Sequence, residues 1–144
     1  MIIEVKSKKE LDKVIKEILK KLQRNRIFLF IGELGTGKTT IIKKLAKKLN
    51  IKEVLTSPTF ILWQKYEFKF KNKKMFLNHL DLYRVKTIKE ILNLDLRKEI
   101  KKKENYFFIE WGEKIKKHLK KKKIKFVEIS IKKLDKTKRI IEIK

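Results

Sequence analysis

At 144 residues, 42% of them hydrophobic, the chain has the length and apolar content of one folded domain spanning residues 1–144, which excludes a disordered polymer. No apolar run approaches the roughly 20 residues of a membrane span, and the absence of cysteine, with only His79 and His118, excludes disulfides, thiol nucleophiles and a His-rich metal site. The formal net charge of +25 comes from 42 basic residues, all but five of them lysine, which favours loose attraction to polyanions but supplies no chemistry.

The chain opens Met1-Ile-Ile-Glu-Val-Lys6, too short and too charged for a secretory leader, so a cytoplasmic protein is expected. Ile2–Val5 can form a short strand. Ser7-Lys-Lys-Glu10 fits a capping box, S-x-x-E, ahead of Leu11, Val14, Ile15, Ile18, Leu19 and Leu22 at helical spacing. That helix is predicted to end near residues 23–25. A place for Ser7 beside a bound nucleotide base is the lesser reading of the same residues.

The next stretch organises the rest. Ile27–Ile31 is a continuous apolar run, as expected of a strand buried on both faces. Gly32-Glu33-Leu34-Gly35-Thr36-Gly37-Lys38-Thr39 then fits G-x-x-x-x-G-K-[ST], the phosphate-binding loop, and Thr40 follows. A polyphosphate needs a ring of backbone N–H groups, which a loop lacking Cβ atoms at Gly35 and Gly37 can curl to provide. Lys38 can reach the outer phosphates, and Thr39 offers a hydroxyl to Mg²⁺. Ile41, Ile42, Leu45, Ala46 and Leu49 recur at helical spacing behind the loop. An ordinary strand–turn–helix corner needs neither three glycines nor a lysine there, so the chain is read as binding a nucleoside triphosphate.

Thr56-Ser57-Pro58-Thr59-Phe60 contains the only proline and reads as a stiff corner. Ser57 and Thr59 can cap a turn, the favoured reading, or sense a γ-phosphate as part of a switch segment. Tyr66, Phe68 and Phe70 alternate with charged residues, a polar turn covers 71–74, and Met75–Leu80 returns as a strand running into the interior. This hairpin delivers Asp81, in His79-Leu-Asp-Leu-Tyr-Arg84, to a strand tip. A carboxylate there, downstream of a phosphate loop, has the Walker-B placement for Mg²⁺.

Thr87-Ile-Lys-Glu90 opens a short helix with Asn93 suited to a left-handed C-cap, and a second helical piece covers 94–100. Asn105–Ile109 is the next core strand and ends in Glu110, a candidate metal ligand or orienter of the attacking water. Trp111 beside it reads first as a core residue, and His118 on a lysine-rich helix as surface. Val127, Ile129 and Ile131 alternate with polar residues, and with Arg139–Ile143 they form an antiparallel hairpin expected to close one edge of the sheet.

The lysine runs at 71–74, 101–103 and 120–123 are dispersed rather than gathered on one element. No helix-turn-helix, aromatic RNP strand or zinc pattern accompanies them, so sequence-specific reading of nucleic acid is not supported.

Taken in order, the phosphate loop, Ser57-Pro-Thr-Phe60, His79-Leu-Asp-Leu-Tyr-Arg84 and Ile109-Glu-Trp111 closely resemble the TsaE (YjeE) family over nearly the whole chain. That family contains the bacterial P-loop ATPase of tRNA threonylcarbamoyladenosine (t6A) biosynthesis. Two departures are visible: Thr36 stands where the family mostly has alanine, and Asn93 where it usually has glycine.

The resemblance implies an α/β fold, a three-layer P-loop NTPase core with a mixed parallel and antiparallel sheet. It implies ATP and Mg²⁺ as cofactors, the metal held by Thr39 and Glu110 with Asp81 nearby, and Ser57 to Phe60 as the nucleotide-sensitive segment. Trp111, Tyr83 and Arg84 would lie close to the site or to a partner surface, and Arg139 near the base. The implied partners are the TsaB and TsaD proteins, which transfer the threonylcarbamoyl group, with tRNA contacted at most indirectly and no membrane. Two alternatives stay open at this point: a small nucleoside or nucleotide kinase, and a nucleic-acid-stimulated ATPase.

Overall fold

A computed structural model describes residues 1–52, 62–93 and 95–144. In chain order these form β1 (Ile2–Val5), α1 (Leu11–Lys21), β2 (Ile27–Ile31), α2 (Lys38–Lys48), β3 (Trp63–Phe70) and β4 (Lys73–Asp81). There follow α3 (Ile88–Leu92), α4 (Leu96–Ile100), β5 (Asn105–Glu110), α5 (Glu113–Lys121), β6 (Val127–Lys133) and β7 (Arg139–Ile143). One seven-stranded sheet has the order β1-β7-β6-β2-β5-β4-β3.

Strand periodicity explains the layers. Successive side chains of a strand point to opposite faces. In β2, Phe28 and Phe30 join the core under α1 and α2, while Ile27 and Leu29 join the core under α3, α4 and α5. In β5, Tyr106 and Phe108 face the first side, Phe107 and Ile109 the second. Phe108 meets both Phe28 and Phe30 edge-on, with ring centroids 5.6 and 5.7 Å away. Full burial of each such side chain is worth about 1.5–3 kcal/mol over exposure, so the central strands need cover on both faces. The result is a three-layer P-loop NTPase core with a mixed sheet.

The β6-β2-β5-β4 strands are parallel, so β2, β5 and β4 end at one rim of the sheet. Register sets Phe30 beside Glu110 and Glu110 beside Asp81, and that rim carries the polar residues of interest.

Four local expectations need correction. The Ser7–Glu10 pair caps a turn one step before the helix: the Glu10 N–H donates to Ser7 Oγ at 3.4 Å, but the Glu10 carboxylate accepts from the Lys6 N–H at 2.8 Å. The turn at 71–74 is tighter, with only Lys71 and Asn72 between paired Phe70 and Lys73, both at positive φ as a type I′ hairpin requires. Asn93 is right-handed (φ −70°), and the left-handed residue is Asp95 (φ 63°), immediately before α4. The β6–β7 hairpin does not close the sheet edge. β6 is internal, parallel to β2, and β1 pairs with β7 to form the edge.

Candidate functional site

The loop between β2 and α2 is the start of the site. Gly35 and Gly37 have φ of 78° and 107°, values at which a Cβ is strained, and these two turns curl residues 33–37 around the start of α2. Gly32 is needed for another reason: a Cβ there would lie 2.6 Å from the Ile131 carbonyl oxygen of β6. α2 begins at Lys38 behind left-handed Gly37, and no side chain among the described residues caps it. Its first-turn N–H groups have no partner within the helix, as at any helix start, and are available to a ligand there.

Lys38 is buried, and its Nζ donates to the carbonyl oxygens of Gly32 and Glu33, the latter at 2.8 Å. Burial pulls its pKa down from the ordinary lysine value, against the opposing charges of Glu110, Glu113 and Asp81. Glu110 is gripped on both oxygens. The Thr39 hydroxyl donates to Oε1 at 2.6 Å, and His79 Nε2 lies 2.7 Å from Oε2. Asp81, at the tip of β4, accepts from the Tyr83 N–H at 3.0 Å. Burial raises its pKa and the Glu110 charge adds to the rise, while the Tyr83 bond opposes both.

Lys38, Thr39, Thr40, Asp81 and Glu110 line one open cavity of about 320 Å³, rimmed by Leu34, Tyr83 and Trp111. Trp111 is half-buried: it packs against the core under α3, α4 and α5, in line with the reading favoured from its sequence context, and it also lines the cavity. Its backbone is left-handed (φ 59°), a conformation rare for a bulky residue, and this turn sets the indole in the cavity wall. Lys38 Nζ sits 4.3 Å from the indole ring centroid, and the Tyr83 ring lies 5.0 Å away. From α5, Lys114 Nζ donates to the Tyr83 and Val85 carbonyls at 2.6 and 3.0 Å, which ties down the turn after Asp81.

A second cavity, of about 460 Å³, adjoins the first through Gly35, Gly37 and Thr40. Lys6, Ser7, Leu11, Thr36 and Thr137 contribute to its walls, with Arg139 on β7. Arg139 Nε donates to the Thr36 carbonyl at 3.1 Å, so β7 braces the back of the phosphate loop. Ser7 both accepts from Glu10 and lines this cavity.

The donor set suits Mg²⁺. A hydroxyl and two carboxylates are hard oxygen donors lining the same cavity. Among the described residues no group of three or more His, Cys, Asp or Glu could hold a metal ion by itself. Mg²⁺ binds in this manner, with one or two protein oxygens and the rest from phosphate and water.

The chain matches the family described as "Threonylcarbamoyl adenosine biosynthesis protein TsaE" over residues 5–141. It belongs to the TsaE family. The Rickettsia prowazekii tRNA threonylcarbamoyladenosine biosynthesis protein TsaE is 36% identical over 138 residues, covering 95% of this chain and 90% of that protein. The Aquifex aeolicus protein of the same name is 40% identical over 83 residues, 56% of this chain and 59% of that one. The crystal structure of Bacillus subtilis YdiB overlays with a TM-score of 0.61 at 20% identity, covering 98% of this chain and 82% of that one, a likeness of fold.

For a TsaE-family chain, the predicted residues fall into four groups. Leu34, Gly35 and Gly37 to Thr40, with Asp81, Glu110, Tyr83 and Trp111, line the first cavity; Thr36 lines the second, and Glu33 lines neither but accepts from Lys38 through its carbonyl. Arg139 lies at the second cavity. Arg84 is exposed on the turn after β4 and lines neither cavity. Ser57 and Thr59 lie outside the described residues.

Sequence reasoning passed over His79 and Lys114. A period-of-two argument could have found His79, which shares a strand face with Asp81 two residues on. Nothing local distinguishes Lys114 among the lysines of α5.

Proposed function

We propose that this chain is a Mg²⁺-dependent ATPase, working as one domain over residues 1–144, that supports t6A modification of tRNA in the cytoplasm. It acts with the TsaB and TsaD proteins and does not itself transfer the threonylcarbamoyl group. The observation that carries this reading is the contact of Thr39 with Glu110 at the mouth of a glycine-curled loop, with Lys38 and Asp81 lining the same cavity.

The backbone of residues 33–38 and the start of α2 would cradle the phosphates, and Lys38 would exchange its loop carbonyls for β- and γ-phosphate oxygens. Thr39 and Glu110 would hold Mg²⁺, with Asp81 close by; when bound, the metal neutralises charge on the phosphate oxygens. Glu110 and Asp81 are the carboxylates available to orient the attacking water. The second cavity, with Arg139 on its wall, takes the nucleoside.

The charge balance supports slow turnover by the isolated chain. Among the described residues lining the phosphate cavity, two carboxylates face one ammonium and no arginine contributes. A phosphoryl transition state is stabilised by cations, which a partner can supply. The same shortage disfavours a small-molecule kinase.

Calorimetry with ATP, with and without Mg²⁺, is the first test, and magnesium-dependent uptake is expected. Turnover should then rise on adding TsaB and TsaD, and not on adding RNA alone. A phosphorylated product from labelled ATP and a panel of nucleosides and nucleotides would make the chain a kinase instead.

A further inference from the structure

His79 belongs to none of the roles above, yet its surroundings are unusual. It is fully buried in β4, and its Nε2 lies 2.7 Å from Glu110 Oε2. Among the described residues its Nδ1 is buried without a hydrogen-bond partner. An N–H at Nδ1 would be buried with no acceptor among the described residues, a costly arrangement, whereas a bare lone pair there costs less. The surroundings therefore favour the tautomer with its hydrogen on Nε2, pointing at the carboxylate.

The two bonds to Glu110 come from different elements. Thr39 reaches Oε1 from the first turn of α2, and His79 reaches Oε2 from the neighbouring strand β4. Thr39 is also the hydroxyl offered to the metal, so its bond to Glu110 must share that oxygen. The bond from His79 makes no such demand. An imidazole locked in a packed strand therefore holds the carboxylate plane whichever partner Thr39 takes.

We infer that His79 is a positioning residue that fixes the Glu110 carboxylate for Mg²⁺ bound with the nucleotide. This rests on the magnesium–nucleotide reading of the site. Partners of this kind, one bond behind a metal ligand, orient it and tune its basicity.

The test compares His79→Leu, which removes the donor in a similar volume, with His79→Gln, which retains an N–H donor. A fluorescent ATP analogue is titrated with Mg²⁺ on the full chain. In His79→Leu the Mg²⁺ concentration for half-maximal uptake should rise by about tenfold. Binding of a fluorescent ADP analogue in EDTA should be unchanged. His79→Gln should recover most of the magnesium dependence. In a Glu110→Ala background, His79→Leu should add nothing, because the group it holds is gone.

Wild-type magnesium dependence in His79→Leu would overturn the inference, as would an equal shift in the Glu110→Ala background. Should His79→Leu fail to fold, His79→Gln decides: near-wild-type magnesium dependence supports the positioning role, and a tenfold loss overturns it. The wild-type chain, run in parallel, separates the two levels. Absence of magnesium-dependent uptake there overturns the nucleotide reading itself, and uptake there with no change in the variants overturns only the role of His79.

Discussion

Thr39 and Glu110 are far apart in sequence, but the Thr39 hydroxyl donates to Glu110 Oε1 at 2.6 Å, tying the first turn of α2 to the tip of β5. Replacing Glu110 by alanine removes the carboxylate proposed to hold the metal while leaving the phosphate loop's backbone donors in place. ATP turnover should fall about a hundredfold or more, the scale of a lost acid–base or water-orienting group. ADP binding measured in EDTA should change little. Turnover at the wild-type rate would leave Glu110 a purely structural residue.

Lys38→Ala should act on binding. The ammonium is the one cation among the described residues lining the phosphate cavity, and charged hydrogen bonds of this kind are worth about 1.5–3 kcal/mol each. ATP affinity, read by calorimetry, should drop by about tenfold or more. The melting temperature should change little, because the burial cost of the ammonium and its bonds to the Gly32 and Glu33 carbonyls oppose one another.

Asp81→Asn should separate stability from function through pH. Burial holds the folded-state pKa of Asp81 above its unfolded value. The folded chain therefore binds the proton more tightly, and stability is lost as pH rises through the interval between the two values. At neutral pH the asparagine variant should melt higher than wild type, and the gap should narrow as pH falls through the raised pKa. Magnesium-dependent turnover should fall in the same variant. A constant gap across pH, followed by thermal melts in matched buffers, would contradict the assignment.

Gly112→Ala tests how α5 is seated. A Cβ on Gly112 would lie 2.5 Å from Leu29 Cβ and 2.9 Å from Leu29 Cα, in the middle of β2. Backbone cannot yield as a flexible side chain does. Overpacking of this sort costs about 1–3 kcal/mol. A lower denaturant midpoint is expected. ATP affinity should fall too, because Trp111, which stacks near Lys38, precedes this glycine.

Much of the fold was legible in advance because its signals are local. The continuous apolar run at 27–31 demanded a strand covered on both faces, and the alternation of Tyr66, Phe68 and Phe70 marked a hairpin strand. The β6–β7 hairpin was legible as a pair but misplaced in the sheet. Alternation says which residues share a face, and it does not say whether β6 lies at an edge or against β2. Trp111 packs against the core as its type suggested, but its place in the cavity wall was not legible from residue type, because a left-handed backbone leaves no mark there.

The amino-acid order alone marked the loop between β2 and α2, since glycines at fixed spacing ahead of a lysine and a threonine let the backbone curl at the start of a helix. It also placed carboxylates at the ends of two apolar runs. Only the tertiary structure decided that those ends meet. Parallel registry of β2, β5 and β4 brings Glu110 between Thr39 and His79, with Asp81 in the neighbouring strand. Contacts of that kind depend on which strands become neighbours, a choice made by packing across the whole sheet rather than by any short stretch of chain.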